Sequence, residues 1–235
     1  MVNRVFSIGR LGALLGLLVI PAGLYAGTYS EIGDAGKTIG TAQLVNGLPG
    51  GTPLAEIFGT LTASDADIFA IFVTGGQTFS ATTVSNSSNF FDTQLFLFDS
   101  TGKGVYANDD DPDSPPQSTL PASHTLTPVA PGLYYLAISG SGYLPVSAGG
   151  LIFPSTAIPG IPDPGVVDPS GPGGAQALSG WSATSSELGG YDIILTGAEF
   201  VGAANSDAPE PSTVFILGGG GMMLALLRRR LAVNR

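Results

Sequence analysis

The sequence predicts an all-β protein, an antiparallel and jelly-roll-like β-sandwich, flanked by an N-terminal signal helix and a C-terminal transmembrane helix. Two observations predict the sandwich. Apolar and polar residues alternate with a period of two through residues 27–208, which is the pattern of half-buried strands. Glycine and proline, 35 and 18 of the 235 residues, separate these short runs, and no amphipathic helix interrupts them.

Eight runs rich in Phe, Tyr, Ile, Val and Thr are the predicted strands, and several short strands at close spacing favour a sandwich. They cover residues 54–62, 68–73, 78–84, 94–98, 104–107, 124–128, 133–139 and 191–200. Between residues 145 and 174 the chain has seven prolines and seven glycines. Because proline cannot donate to a ladder, residues 140–180 are predicted to form a long loop before the closing strand.

The charge distribution excludes one class of partner. The formal net charge is −10, but six of the eight basic residues lie near the two ends. Residues 27–207 have two lysines against seventeen acidic residues. Such a surface repels phosphate backbones, so nucleic acid is excluded as a partner and divalent cations are the natural counter-ions. The absence of cysteine excludes disulfides and thiol catalysis.

The N-terminal residues 1–26 are predicted to be a secretory signal peptide. Arg4 and Arg10 supply the positive region, an apolar run follows at 11–20, and Ala26 is the small residue at the predicted cleavage site. A membrane anchor is the alternative, but ten apolar residues are too short to cross a bilayer. The expected partners are therefore the secretion translocon and signal peptidase.

The C-terminal residues 209–235 have three parts in order: a Pro-Glu-Pro motif, an uncharged run over 213–227 that is predicted to be helical, and an arginine cluster. The named positions are Pro209, Glu210 and Pro211, then Arg228, Arg229 and Arg230. Fifteen helical residues extend about 22 Å, enough to cross a locally thinned bilayer. The arginines are expected to stay in the cytoplasm, so the acidic body faces the other side.

This tail closely resembles the PEP-CTERM sorting signal of exported bacterial proteins. The resemblance covers residues 209–235 and includes the motif, the apolar helix and the basic end. It implies recognition by an exosortase, a membrane protease-transferase, with removal of the tail near Pro209, Glu210 and Pro211. The mature protein would then keep no transmembrane helix, as after GPI-signal processing. Retention of the tail as a permanent anchor is the alternative.

The body resembles the bacterial pre-peptidase C-terminal (PPC) domain over residues 30–200. The pieces that carry the resemblance, in order, lie at 65–73, 92–102, 108–110 and 131–139. It implies a compact β-sandwich of the kind appended to secreted proteases and other exported proteins. We expect no catalytic domain before it, and the insertion at 140–180 departs from the short form of the family.

An acidic hairpin is the predicted metal site. Asp99 to Gly102 has the residues of a type I turn, and pairing Asp99 with Gly102 places Asp92 opposite Asp109, to within one residue. Opposed carboxylates destabilise strand pairs unless a cation binds, and Ca²⁺ prefers six to eight oxygen ligands. A solvated loop is the alternative. The predicted Ca²⁺ ligands are Asp92, Asn108, Asp109, Asp110 and Asp111.

No catalytic motif accompanies the single histidine, His124, and no Gly-x-Ser-x-Gly elbow is present. The predicted function is therefore that of an exported, non-enzymatic protein of the bacterial cell surface or extracellular matrix, with exopolysaccharide as a possible partner. One alternative is a secreted carbohydrate- or protein-binding module that uses Trp181 and the 140–180 loop. Trp181 is also suited to capping the sandwich core. A secreted hydrolase is a further alternative.

Overall fold

The computed structural model describes residues 25–84, 91–154 and 165–202. The described chain is all-β, with fourteen strands, a short 3₁₀ turn at Ile39–Thr41 and no α-helix. None of the helical structure in these ranges is long or apolar enough to cross a membrane. Most of the predicted signal peptide and the whole predicted sorting tail lie outside the described residues, whereas Ala26 lies within them, exposed just before the first strand.

Three sheets are built from these strands. The first has the order β1-β3-β13-β5-β8, the second β14-β4-β9-β6-β7 with β2 also on β4, and the third β11-β10-β12. The strands are β1 (Gly27–Ser30), β2 (Gln43–Leu44), β3 (Leu54–Leu61), β4 (Ala66–Val73), β5 (Ser80–Thr82), β6 (Thr93–Phe98), β7 (Gly104–Asn108), β8 (Thr119–Leu120), β9 (Gly132–Gly140), β10 (Leu144–Ser147), β11 (Gly150–Leu151), β12 (Gly180–Ser182), β13 (Gly189–Thr196) and β14 (Ala198–Glu199).

The first two sheets share the main core, which is the arrangement of a β-sandwich. Ile57 and Ile193 of the first sheet and Phe69, Leu95 and Leu97 of the second are all fully buried in one cluster. They sit at alternate strand positions, so the period-two pattern directs them inward. Burial of each such side chain stabilises the fold by about 1.5–3 kcal/mol. The prediction of an all-β architecture is confirmed.

The expectation of a purely antiparallel arrangement is wrong at the N-terminal segment. β1 pairs with β3 in parallel, and β2 pairs with β4 in parallel. The chain runs along the first sheet as β1, crosses to the second sheet through residues 31–42, and returns to the first as β3. Because it visits the other sheet in between, β1 and β3 run in the same direction. Residues 31–42 therefore cross the end of the sandwich.

The prediction that residues 140–180 cannot support a ladder is also wrong. β10 pairs with β11 on one side and with β12 on the other. Pro145 is tolerated in β10 because it takes part in the pairing through its carbonyl, which accepts a hydrogen bond from the Ile152 N–H at 3.1 Å. Ile152 and Phe153 then pack with Phe96 of β6, forming a second apolar cluster outside the sandwich. The third sheet is thus a covering layer on the outer face of the second.

Other strand boundaries differ locally. The run at 124–128 is a turn, in which the His124 carbonyl accepts from the Thr127 N–H and the His124 ring accepts from the Leu126 N–H. The run at 191–200 divides into β13 and β14 at Gly197, whose φ of 62° redirects the chain to the second sheet. The run at 78–84 keeps only the three residues of β5.

The sandwich has two unlike ends. At the terminal end, which comprises Gly27, residues 50–53 and residues 200–202, the Gly27 N–H donates to the Pro53 carbonyl at 2.8 Å. The Phe200 N–H donates to the Thr52 carbonyl at 2.9 Å, so the chain enters and leaves the sandwich at this end. At the acidic end, which comprises residues 31–37, 61–67, 92, 109–113 and 185–187, β1 stops and β4 and β6 begin.

Candidate metal centre

Three carboxylates meet beneath the crossover at the acidic end. Glu31 follows β1 directly, Asp34 lies in the crossover, and Asp67 is the second residue of β4. One oxygen from each of the three lies within 4.8 Å of one from each of the others. Among the described residues, this is the group of three whose oxygens approach so closely. We call it the Glu31–Asp34–Asp67 centre.

Glu31 is fixed in place by the backbone. Its Oε1 accepts from the Ala35 N–H and its Oε2 from the Thr60 N–H, each at 2.9 Å. Gly59 stands beside it on β3. A Cβ at Gly59 would overlap the Tyr191 hydroxyl and lie 2.6 Å from Glu31 Oε2, so only glycine leaves room for both groups.

Asp67 is the unusual member of the centre. Its side chain has no solvent exposure, and neither carboxylate oxygen has a hydrogen-bond partner. The Tyr191 hydroxyl lies beside it, but its geometry falls short of a normal hydrogen bond. Burial, with a smaller contribution from the charges of Glu31, Asp65 and Asp34, raises the pKa of Asp67 to about 7, although Tyr191 opposes the rise.

The neighbouring carboxylate, Asp65, differs from Asp67 because its oxygens have hydrogen-bond and ion-pair partners. Asp65 pairs with Lys37 at 3.0 Å and accepts from the Thr62 hydroxyl at 2.7 Å and the Ala66 N–H at 2.9 Å. Burial alone would raise the pKa of Asp65, but these bonds outweigh it and hold the pKa below its usual value. Lys37 is therefore paired with Asp65 and does not neutralise the charge of Asp67.

The chemistry of the centre fits a hard divalent cation. A buried ionised carboxylate costs several kcal/mol unless a partner compensates it. A centre that offers only carboxylate oxygens, with no histidine or sulfur, suits Ca²⁺ better than a transition metal. Glu31, Asp34 and Asp67 would hold such an ion, and water can complete its coordination. Asp67 belongs to the 65–73 segment that carries the resemblance to the PPC domain, but the sequence did not place it in a site.

The predicted hairpin forms with a shifted register. The Gly102 N–H donates to the Asp99 carbonyl at 2.9 Å, as expected of the turn. An irregularity follows Leu97, so Leu97 faces Tyr106 and Leu95 faces Asn108. Continued by one residue, this register places Asp109 opposite Gln94. The predicted register, in which Asp99 pairs with Gly102, is therefore wrong by two residues. Asp99 pairs with Lys103 instead, which shifts the register by one residue, and the irregularity after Leu97 shifts it by one more.

The predicted Ca²⁺ ligands separate into two groups. Burial raises the pKa of Asp92, and the charges of the nearby Asp109 and Asp110 add to the rise. Asn108 instead organises the loop, since its oxygen accepts from the Thr119 N–H at 2.7 Å and its amide donates to the Asp110 carbonyl at 2.9 Å. Asp111 accepts from the Asp113 N–H at 2.9 Å, as in a solvated turn. Calcium binding at these residues stays a prediction.

Trp181 lies in β12 and packs on the outer apolar cluster. Its ring stacks on Tyr143 with centroids 5.5 Å apart and meets Phe96 edge-on at 5.5 Å. Its Nε1–H donates to the Lys37 carbonyl at 2.8 Å. One ring face is therefore occupied by protein, but Trp181 covers the outer apolar cluster and not the sandwich core that it was expected to cap. A role in ligand binding stays a prediction.

Four residues at or beside the acidic end were not predicted as site residues from the sequence: Glu31, Asp34, Tyr191 and Gln94. Glu31 and Asp34 lie immediately after the short β1, and their approach to Asp67 depends on the crossover between sheets. The available signal was the single glutamine in the otherwise apolar run of β6 and the Asp65-Ala-Asp67 pair before a buried strand.

Comparison with known proteins yields no relative. The chain matches no protein-family model, no curated protein and no solved structure at a significant level.

Proposed function

We propose that this chain is an exported, non-enzymatic protein of the bacterial cell surface or extracellular matrix. An exosortase sorts and processes it through Pro209, Glu210 and Pro211, after the translocon has exported the chain and signal peptidase has removed residues 1–26. In this proposal the folded body is a jelly-roll-like, PPC-like β-sandwich. The C-terminal helix holds the chain in the inner membrane only until cleavage.

The observation that carries the proposal is the sorting signal at residues 209–235, in which motif, apolar run and arginines follow one another in order. The geometry of the described body supports it. Gly27 follows the exposed Ala26, and Gly202 packs against Gly50 at the same terminal end. A domain whose two chain ends leave at one end can be tethered there while its opposite end faces outward.

The outward end is then the acidic one, and its function in this proposal is to bind Ca²⁺. The Glu31–Asp34–Asp67 centre fastens the crossover to β4 when the ion is bound. The supporting observation is the pair of Asp67 oxygens that are buried without a hydrogen-bond partner. Ca²⁺ at an acidic surface can also bridge to carboxylate groups of an exopolysaccharide, which is the partner that we propose for the mature protein.

Expression of tagged variants in the native host tests the sorting step. Replacement of Pro209, Glu210 and Pro211 by alanine should leave uncleaved protein in the membrane fraction. Deletion of the host exosortase should have the same effect. Mass spectrometry of the wild-type protein from the cell surface should find a C-terminus near residue 209. Wild-type protein recovered from the cytosol with both ends intact would contradict the proposal.

A further inference from the structure

A second group of oxygens lies on the other face of the second sheet from the Glu31–Asp34–Asp67 centre. In β6, Leu95 and Leu97 point into the main core, and Phe96 points outward to the third sheet. Gln94 therefore also points outward, and the register places it opposite Asp109 of the neighbouring strand and Ser139 of β9. Asp92 precedes it on the same face by two residues.

Gln94 is the observation that points to a ligand. Its side chain is 2% exposed, and its Oε1 is buried without a hydrogen-bond partner. Asp92 Oδ1 is likewise buried and without a partner. A buried oxygen that accepts no hydrogen bond costs about 1–3 kcal/mol, more when it is charged. Two such oxygens, at and just before the start of β6 and on the same face, therefore require a donor or a cation.

The surroundings supply negative charge and no compensating lysine. The charges that act on Asp92 come from Asp109, Asp110 and Glu187, and Glu187 Oε2 also accepts the Asp92 N–H at 3.1 Å. Within the described ranges the lysines are Lys37, which pairs with Asp65, and Lys103, which follows the Asp99 turn. Burial, followed by these three charges, raises the pKa of Asp92 to about 7 when no ion is present, against a smaller lowering by the Ser141 side chain.

A small cavity adjoins Gln94 and Asp109. Phe96 and Phe153 also line it, and it has room for about one water-sized particle. Because the cavity is enclosed largely by apolar residues, a charge at this place is screened less by water than at an exposed surface.

We propose that Asp92, Gln94, Asp109 and Asp110 bind a second divalent cation, Ca²⁺, separate from the Glu31–Asp34–Asp67 centre. The ion joins the start of β6 to the loop that follows β7, beneath the covering third sheet. The set differs from the sequence prediction by the addition of Gln94 and the removal of Asn108 and Asp111. This inference deepens the proposed function by adding a second ion at the acidic end, and it does not depend on the sorting pathway.

Calcium titration of the full-length protein in detergent, followed by calorimetry, tests the inference. The wild type should bind two Ca²⁺ ions per chain, and Asp67→Asn should bind one. The double variant Asp67→Asn with Gln94→Leu should bind the remaining ion at least about tenfold more weakly. Asp113→Asn, an exposed acid in the neighbouring loop, is the matched control and should leave both ions in place.

Thermal unfolding separates a site from a mere packing defect. Without Ca²⁺, Gln94→Leu should unfold at a higher temperature than the wild type, because it removes a buried oxygen that lacks a partner. With Ca²⁺, the same variant should gain less stability than the wild type. Asp92→Asn, which keeps the shape of the side chain, should show the same smaller gain if Gln94→Leu does not fold.

The outcomes distinguish the two centres. If Asp67→Asn binds no Ca²⁺ at all, or if the double variant binds it as tightly as Asp67→Asn, the second site is overturned. If instead Asp67→Asn still binds two ions, the Glu31–Asp34–Asp67 centre is wrong. In that case, weaker binding in Gln94→Leu still supports the second site.

Discussion

The two ends of the sandwich are held together by different physics. At the terminal end, apolar side chains and backbone hydrogen bonds close the structure: Phe200 is 2% exposed, and its ring meets Tyr29 edge-on at 6.5 Å. At the acidic end, the two carboxylate oxygens of Asp67 are buried without a hydrogen-bond partner. The terminal end should therefore be stable without any ion, whereas the acidic end should depend on one. Stability that responds to Ca²⁺ should map to one end only.

Truncation of the terminal core gives the largest expected effect. Phe200→Ala should lower the free energy of unfolding by about 3–5 kcal/mol, because it removes a buried aromatic ring and leaves a cavity. The loss should be equal with Ca²⁺ and with chelator, as measured by urea denaturation. Val129→Ala, at a position 69% exposed, is the control and should change stability by less than about 0.5 kcal/mol. A loss that appears only in chelator would contradict the comparison.

Removal of the buried Asp67 charge should give the next largest loss of stability, and this loss should appear only when Ca²⁺ is present. An ion at one hundred times its dissociation constant stabilises a protein by about 2.7 kcal/mol, and Asp67→Asn should abolish that contribution from its centre. In chelator the same variant should be at least as stable as the wild type, since it no longer buries an acid without a partner. Equal Ca²⁺ stabilisation in the variant and the wild type would show that Asp67 is not a ligand.

Gly59, beside the centre, should tolerate replacement by alanine less well than Gly190 on the adjacent strand. Gly59→Ala should cost about 1–3 kcal/mol, because its Cβ overlaps Tyr191, and should also weaken Ca²⁺ binding by displacing Glu31. Gly190, which pairs with Thr60 on the same two strands, has ordinary space for a Cβ. Gly190→Ala is therefore the matched control. Similar losses in both variants would mean that the strand pairing, and not the centre, requires glycine.

The dependence on pH should reverse when Ca²⁺ is added. In chelator the pKa of Asp67 is about 7 in the folded protein and near 3.8 when unfolded, so the folded state holds a proton that the unfolded state has lost. The stability that this proton supports is complete below pH 4 and is lost as the pH rises through 7, by up to about 1.4 kcal/mol per pH unit. Asp92 acts in the same direction.

With saturating Ca²⁺, stability should instead rise between pH 5 and 7, because the ion binds the deprotonated carboxylates. Chemical denaturation across this range, with and without chelator, measures both slopes. Parallel slopes in the two conditions would contradict a cation at the acidic end.

The alternation of apolar residues was sufficient to predict β3, β4, β6 and β9, since each of these strands buries one face in the main core. It could not reveal the crossover at residues 31–42, because the parallel pairs depend on contacts between distant segments. For the same reason, the approach of Glu31 to Asp67 was hidden in the sequence. The prediction of a long loop at 140–180 was wrong because Pro145 was expected to prevent strand pairing. Its carbonyl still accepts a hydrogen bond, so β10 forms.

The most direct measurement of the central claim is a crystal structure of the protein grown with Ca²⁺, with anomalous differences collected at long wavelength. The account predicts a peak among the carboxylates of Glu31, Asp34 and Asp67, with the Asp67 oxygens within about 2.3–2.6 Å of the ion. No peak there at saturating Ca²⁺, with the Asp67 carboxyl still lacking a partner, would contradict it.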